Sequence, residues 1–295
     1  MPAARSPRIL ILGATGGLGR ALHRHFAPKC ETVIWGRAEL DFEQPAMMPE
    51  KLAAQPFDVL LNAAGMTSPD ACEMRPETAQ LANVTAPQIL AECCQARGAR
   101  MIHFSTDYVF SGEPYERWVE DDATQPVNVY GRTKRDGELA VLQASSNALV
   151  ARVSWLFGPD KTSHPDTIIQ RALQTADLSA VEDKVSVPTS NADICGWIEQ
   201  LINAQATGVW HLCNSGSASW HSWAEAALQI ASVIGLPVKT TQVKSLRLAD
   251  LTQFNARRPL MTVMSNAKLQ NLLGVDIRHW REALEDYLKK KYRAQ

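Results

Sequence analysis

The stretch RILILGATGGLG, residues 8–19, decides the fold. Ile9 to Leu12 form a strand-sized apolar run, and the glycines begin directly after it. Gly13 permits a tight turn. Gly16 lets the backbone approach a phosphate with no Cβ in the way, and Gly19 lets the next helix pack close to the strand. Thr15, Gly17 and Leu18 complete the turn and open that helix, whose free N–H groups and positive end suit an anion. A glycine pattern alone says little. Placed between a strand and a helix near the start of the chain, it predicts a dinucleotide pyrophosphate site.

Outward from this turn, short apolar runs recur: TVIW (32–35), DVLLN (58–62), MIHFST (101–106) and ALVARVSW (148–155). They read as strands covered on both faces. Helix-length amphipathic stretches at 17–27, 76–97 and 130–145 lie between them. Strand–helix alternation implies a parallel sheet with right-handed crossovers, which is the doubly wound, Rossmann-type α/β layout. The second half is less regular. It carries helix signals at 164–176, 192–203, 219–234 and 279–292 and a strand-like GVWHLCN at 208–214. These patterns predict a nucleotide-binding domain over 1–155, with later segments near 180–205 contributing. Residues 156–295 are then mainly a smaller α/β substrate-binding domain. No flexible linker separates the halves, and the polar loop 111–129 is long enough to suggest a functional role.

With 295 residues, 45% of them hydrophobic and 21% charged, the chain excludes disordered, collagen-like and coiled-coil classes. A net charge of −1 supplies no general field for nucleic acid or an anionic membrane, so neither is a predicted partner. No apolar run approaches the roughly 20 residues of a membrane span. The first residues hold two arginines and then only four strongly apolar residues before Gly13, too few for a secretion signal, so a cytoplasmic protein is expected. The six cysteines contain no CxxC pair and read as reduced, buried thiols. The seven histidines have no metal-ligand spacing, and no protein-held metal is predicted.

Two groups near the second strand bear on cofactor choice. An acidic residue there, Asp41, suits an adenosine ribose 2′-hydroxyl, whereas Arg37 suits a 2′-phosphate. Arg37 lies nearer the strand end, which favours NADPH and leaves NADH open. Further on, Tyr130 and Lys134 sit one helical turn apart on one face. A phenol titrates near 10 when free, and a neighbouring ammonium would lower that value toward neutrality. The fourth strand ends in Ser105-Thr106-Asp107, where doubly wound sheets place their sites. The Thr106 hydroxyl would hold a substrate carbonyl oxygen while Tyr130 passes the proton and a reduced nicotinamide the hydride.

The sequence resembles the extended short-chain dehydrogenase/reductases, and within them the group of dTDP-4-dehydrorhamnose reductases. ILGATGGLGRAL, DVLLNAAGMTSPDACE, HFSTDYVFSGEPYERWVEDDATQPVNVYGRTKRDGE, ARVSWLFGP and ARRPLMTVMSNAKL carry the likeness. The resemblance implies NAD(P)H-dependent reduction of the C4 ketone of a dTDP-4-keto-6-deoxy-hexose. It implies Thr106, Tyr130 and Lys134 as the catalytic trio, with Lys134 also on the nicotinamide ribose. Asn62, Ala63 and Ala64 would line the cofactor, Thr67 and Trp155 the sugar, and Arg258 the nucleotide diphosphate. A homodimer is left open.

The chain departs from that group mainly in one stretch. Where the reductases carry a DQxGxPT-like segment, this sequence has Asp183-Lys184-Val185-Ser186-Val187-Pro188-Thr189; elsewhere Thr262 and Met264 stand for the usual serine and leucine. The related sugar dehydratases use an Asp-Glu pair after the threonine. Tyr108 occupies the second of these positions here, which argues against dehydration. A 4-epimerase and a non-catalytic, cofactor-binding regulatory subunit, like the β subunit of methionine adenosyltransferase, remain as alternatives.

Overall fold

A computed structural model describes residues 6–113, 116–240 and 242–293. The N-terminal tail before Ser6 and residues 114 and 115 of the polar loop lie outside the described residues. The chain runs β1 (Ile9–Leu12), α1 (Gly17–Phe26), β2 (Thr32–Trp35), α2 (Met48–Ala54), β3 (Val59–Asn62), α3 (Pro69–Met74), α4 (Pro76–Gln80), a π turn (Leu81–Thr85), α5 (Ala86–Arg97), β4 (Arg100–Thr106), α6 (Val129–Ala144) and β5 (Ala148–Val153). The second half continues with β6 (Leu156–Phe157), α7 (His164–Gln174), β7 (Ser179–Val181), β8 (Val185–Ser186), β9 (Thr189–Ser190), α8 (Asn191–Asn203), β10 (Gly208–His211), β11 (Ala218–Ser219), α9 (Trp220–Val233), β12 (Lys244–Leu246), α10 (Ala267–Leu273) and α11 (Trp280–Arg293).

Six strands form one parallel sheet in the order β10-β5-β4-β3-β1-β2. Alternation along β1 explains why helices cover both faces. Ile9 and Ile11 pack with Leu22 and Phe26 of α1 and with Ile194 and Ile198 of α8. Leu10 and Leu12 pack instead with Leu52 of α2, Leu90 of α5 and Val141 of α6. The strand order reverses between β1 and β3, and the crevice at such a switch point is where doubly wound folds bind ligands.

Three short paired segments, β11 with β8, β12 with β7 and β6 with β9, accompany α7, α9 and α11 in the second half. Their core joins Phe157, Ile169, Trp223, Trp280, Leu284 and Leu288. The strand expected over 208–214 is shorter, Gly208–His211, and pairs with β5 at the edge of the main sheet. Helices α2, α3 and α10 are too short for the periodicity of their sequences to have announced them.

Candidate active site

At the carboxyl ends of β1, β3 and β4 lies a cleft of about 890 Å³. Gly13, Thr15, Gly16, Gly17 and Leu18 line one end, with Arg37 and Asp41 beside them. Ala63, Ala64 and Thr67 follow β3, and Thr106, Tyr130, Lys134 and Trp155 complete the other end. One surface thus holds most of the residues that the sequence singled out.

The glycine turn fits a pyrophosphate. Gly13 has φ +100°, and a Cβ there would stand 2.7 Å from the carbonyl oxygen of Ala63. A Cβ on Gly19 would fall on the carbonyl oxygen of Gly13, so Gly19 sets how closely α1 approaches β1 and does not itself line the cleft. No side chain caps α1, whereas Ser68, Asn128, Ser190 and Ser219 cap α3, α6, α8 and α9. The first amides of α1 are therefore left for an anion. The Ser105 hydroxyl and Asn191 Oδ1, both buried and both from cleft-lining residues, find no hydrogen-bond partner among the described residues. Arg37 is largely exposed and stands 3.6 Å from Glu43, a loose pairing that leaves it free to meet a phosphate.

Tyr130 and Lys134 are set by the start of α6. Asn128 Oδ1 accepts the Gly131 N–H at 2.7 Å, and Glu73 accepts the Val129 N–H at 2.9 Å. This double cap fixes the first turn, which carries Tyr130 to the end of β4. There the Thr106 hydroxyl lies beside the phenol. Thr106 Oγ1 also donates to Asp107 Oδ1 at 3.1 Å and accepts the Tyr108 N–H at 3.2 Å.

The sequence led us to expect Lys134 to lower the Tyr130 pKa. In the structure, burial pushes the phenol up instead, with Thr106 opposing and Asp107 adding to the rise. The cause is geometric: Lys134 Nζ donates to the Phe104 carbonyl at 2.7 Å and lies 3.2 Å from His103 Nε2. Burial lowers the Lys134 pKa to about 8. A protonated phenol at this position is the form a proton donor needs.

Two expected site residues lie behind the cleft wall. Asn62 is fully buried, with Nδ2 3.0 Å from His103 Nδ1 and Oδ1 accepting the Ala64 N–H at 3.2 Å. The Arg258 guanidinium grips Asp70 at 2.5 and 3.1 Å, donates to the Ala256 carbonyl at 2.8 Å and lies over the Phe254 ring. Trp155 has φ +42°, in the left-handed region, and stacks on Trp223 with centroids 5.5 Å apart. Sequence reasoning gave no role to Lys161, Ser163 and Asn191, which also line the cleft. They come from the second half of the chain, Lys161 and Ser163 just before α7 and Asn191 at the start of α8, and belong to no motif.

A glycine-turn cleft at the switch point, with a Thr–Tyr–Lys set at its far end, defines an extended short-chain dehydrogenase/reductase. The chain belongs to the family described as the RmlD substrate binding domain, whose model matches residues 7–293. A dTDP-4-dehydrorhamnose reductase of Mycolicibacterium smegmatis is 35% identical over 286 residues, covering 95% of this chain and 84% of that protein. A protein of Streptomyces antibioticus named as a probable dTDP-4,6-dihydroxy-2-methyloxan-3-one 4-ketoreductase is 34% identical over 282 residues, covering 95% and 94%. Among solved structures, a dTDP-4-dehydrorhamnose reductase of Bacillus anthracis in complex with NADP superposes with a TM-score of 0.89 at 26% identity, covering 97% of this chain and 99% of that one.

Proposed function

We propose that this protein reduces the C4 ketone of a dTDP-4-keto-6-deoxy-hexose with NADPH, converting dTDP-4-dehydrorhamnose to dTDP-L-rhamnose. The observation that carries the reading is the placement of the buried Tyr130 phenol beside the Thr106 hydroxyl at the end of the cleft opposite the glycine turn. The names of the relatives supply the substrate, and the NADP of the Bacillus anthracis structure supports the cofactor.

Residues of this chain divide the work. The amides of the glycine turn receive the pyrophosphate, and Arg37 the 2′-phosphate. A bound reduced nicotinamide supplies the hydride. Tyr130 gives its proton to the ketone oxygen as negative charge develops there, and Thr106 turns its hydroxyl onto the same oxygen. Lys134, one turn further along α6, meets the nicotinamide ribose. Ala63 and Ala64 flank the cofactor, Asn62 holds their loop from behind, and Thr67 and Trp155 face the sugar. The nucleotide-binding role belongs mainly to residues 1–155 and the sugar-binding role to the second half. Among the described residues no helix is long and apolar enough to cross a membrane, and we place the protein in the cytoplasm, with a homodimer as its candidate assembly.

The Streptomyces antibioticus relative favours one second reading, the same chemistry on a different dTDP-linked keto sugar. The test is a panel of 4-keto nucleotide sugars with NADPH and NADH, followed by NMR of the product. Stoichiometric NADPH oxidation with a 4-hydroxy product supports the proposal. Tightly held NAD without net consumption would indicate an epimerase. No turnover of any panel member, with a second protein co-purifying, would indicate a regulatory subunit.

A further inference from the structure

Lys184, Ser186 and Thr262, three of the positions at which the sequence departs from the related reductases, gather around one buried carboxylate. Asp107 Oδ2 accepts the Ser186 hydroxyl at 2.8 Å and the Thr262 hydroxyl at 2.5 Å, while Oδ1 accepts the Thr106 hydroxyl. All four side chains are buried. Lys184 is fully buried, donates to the Pro259 carbonyl at 2.5 Å, and lies 5.1 Å from the Tyr108 ring centroid and 5.8 Å from that of Trp155. Both rings line the cleft, so the ammonium sits just beneath its wall. Asp107 attracts this ammonium, while Arg258 repels it.

The backbone holds the cluster together. Val185 N–H donates to the Leu260 carbonyl at 2.7 Å, and Thr262 N–H donates back to the Val185 carbonyl at 2.9 Å. These two segments of the second half therefore present Lys184, Ser186 and Thr262 together to the end of β4.

The arrangement bears on a competition for one proton. Thr106 has a single hydroxyl proton, and in this structure Asp107 takes it. To bond a ketone oxygen, Thr106 must release Asp107. A buried carboxylate stripped of a donor is costly unless other donors and an opposite charge remain. Ser186 and Thr262 are the remaining donors, and Lys184, which the Pro259 carbonyl holds beneath the same wall without a direct bond to Asp107, supplies the opposite charge.

We propose that Lys184, Ser186 and Thr262 are positioning residues that keep Asp107 satisfied, so that the Thr106 hydroxyl is free to turn from Asp107 to the substrate. The three act through Asp107 and Thr106 and touch neither sugar nor cofactor. This inference rests on the ketone reduction proposed above.

The test uses Lys184→Gln and the milder Ser186→Ala, each alone and with Asp107→Asn. Turnover is measured with the 4-keto sugar, NADPH affinity by fluorescence titration, and unfolding by denaturant. Each single variant should lower kcat by about tenfold while NADPH affinity stays within about twofold, because only the chemical step loses a partner. Lys184→Gln should cost less in the Asp107→Asn background than alone, in both kcat and unfolding free energy. Unchanged kcat, or additive losses, would overturn the proposal. Should wild-type protein reduce no 4-keto sugar, the functional reading fails by itself. The unfolding cycle then still decides whether Lys184 and Asp107 form one unit, and additivity there overturns the inference.

Discussion

Lys134 Nζ lies 3.2 Å from Nε2 of His103, an imidazole with no exposed surface. Burial and the Lys134 charge hold His103 neutral. The other ring nitrogen faces Asn62, which in turn holds the Ala64 amide. Lys134 on α6 is thus linked through the sheet interior to the Ala63–Ala64 loop that lines the cleft. Native Lys134 titrates at about 8, against an ordinary 10.5. Between these values the unfolded chain binds the extra proton, so stability gained from this group rises with pH across that window. At pH 7 the buried charge costs the native state about 3 kcal/mol at most. Lys134→Met should therefore compare best with wild type at pH 7 and lose that advantage by pH 10, measured as the difference in denaturant midpoints. An advantage that grows toward alkaline pH would contradict the buried ammonium.

Tyr130→Phe removes the proposed proton donor and leaves the ring packed against Tyr108, whose centroid is 5.5 Å away. Loss of general acid catalysis lowers rates by about 10²–10⁴. We expect kcat to fall within that range while NADPH affinity holds, as read by steady-state kinetics beside a binding titration. Turnover near the wild-type rate would remove Tyr130 from the chemistry.

Arg37→Ala separates the two nicotinamide cofactors. The side chain is mostly exposed and loosely paired, so its loss should leave folding unaffected. On the proposed reading its worth lies in the 2′-phosphate, present in NADPH and absent from NADH. NADPH binding should weaken about tenfold or more and NADH binding hardly at all, since a charge-assisted bond is worth about 1.5–3 kcal/mol. Equal losses would leave Asp41 as the only reader of the adenosine ribose.

Gly19→Ala tests the helix packing beneath the pyrophosphate site. The added methyl would meet the Gly13 carbonyl, which is backbone and cannot swing aside. We expect a loss of about 1–3 kcal/mol in unfolding free energy, the usual scale of overpacking, together with weaker NADPH binding. Gly98→Ala supplies the contrast, because its Cβ would meet nothing within 4 Å and only the left-handed backbone at φ +69° resists it. Gly98→Ala should lose stability and keep NADPH affinity.

The parts legible from sequence are those where local chemistry and fold agree. RILILGATGGLG announces strand, turn and helix within twelve residues, and STD followed by YGRTK places Thr106 at the end of β4 and Tyr130 and Lys134 at the start of α6. The convergence on Asp107 was not legible, because Ser186 and Thr262 reach it across 79 and 155 residues of chain. In the second half the four long helices were legible, but the short paired segments and the cleft residues Lys161 and Ser163 were not, because segments two or three residues long carry no periodicity. The Lys134 geometry was misjudged because helical spacing places a side chain on a face and says nothing about what lies in the sheet behind it.

Arg258 and Asp70 pose the last test. The resemblance puts Arg258 on the nucleotide diphosphate, and the structure closes its guanidinium on Asp70, with Arg258 nearly buried and Asp70 partly exposed. The pair ties the loop at 254–258 to the start of α3, beside Thr67 in the cleft wall. Arg258 holds the Asp70 carboxyl below the usual carboxylate range. By linkage, the stability this contributes is present above the unfolded value near 4 and is lost as pH falls through the lower native value. Arg258→Ala should therefore cost about 2–3 kcal/mol at neutral pH, somewhat below the cost of breaking a fully buried pair because Asp70 keeps some water, and the cost should shrink on acidification. Asp70→Asn breaks the same clasp while sparing the guanidinium. A pure clasp predicts that both variants raise the KM for the nucleotide sugar equally. An arginine that also meets the diphosphate predicts a rise for Arg258→Ala that exceeds the rise for Asp70→Asn by about tenfold, the worth of one charge-assisted contact.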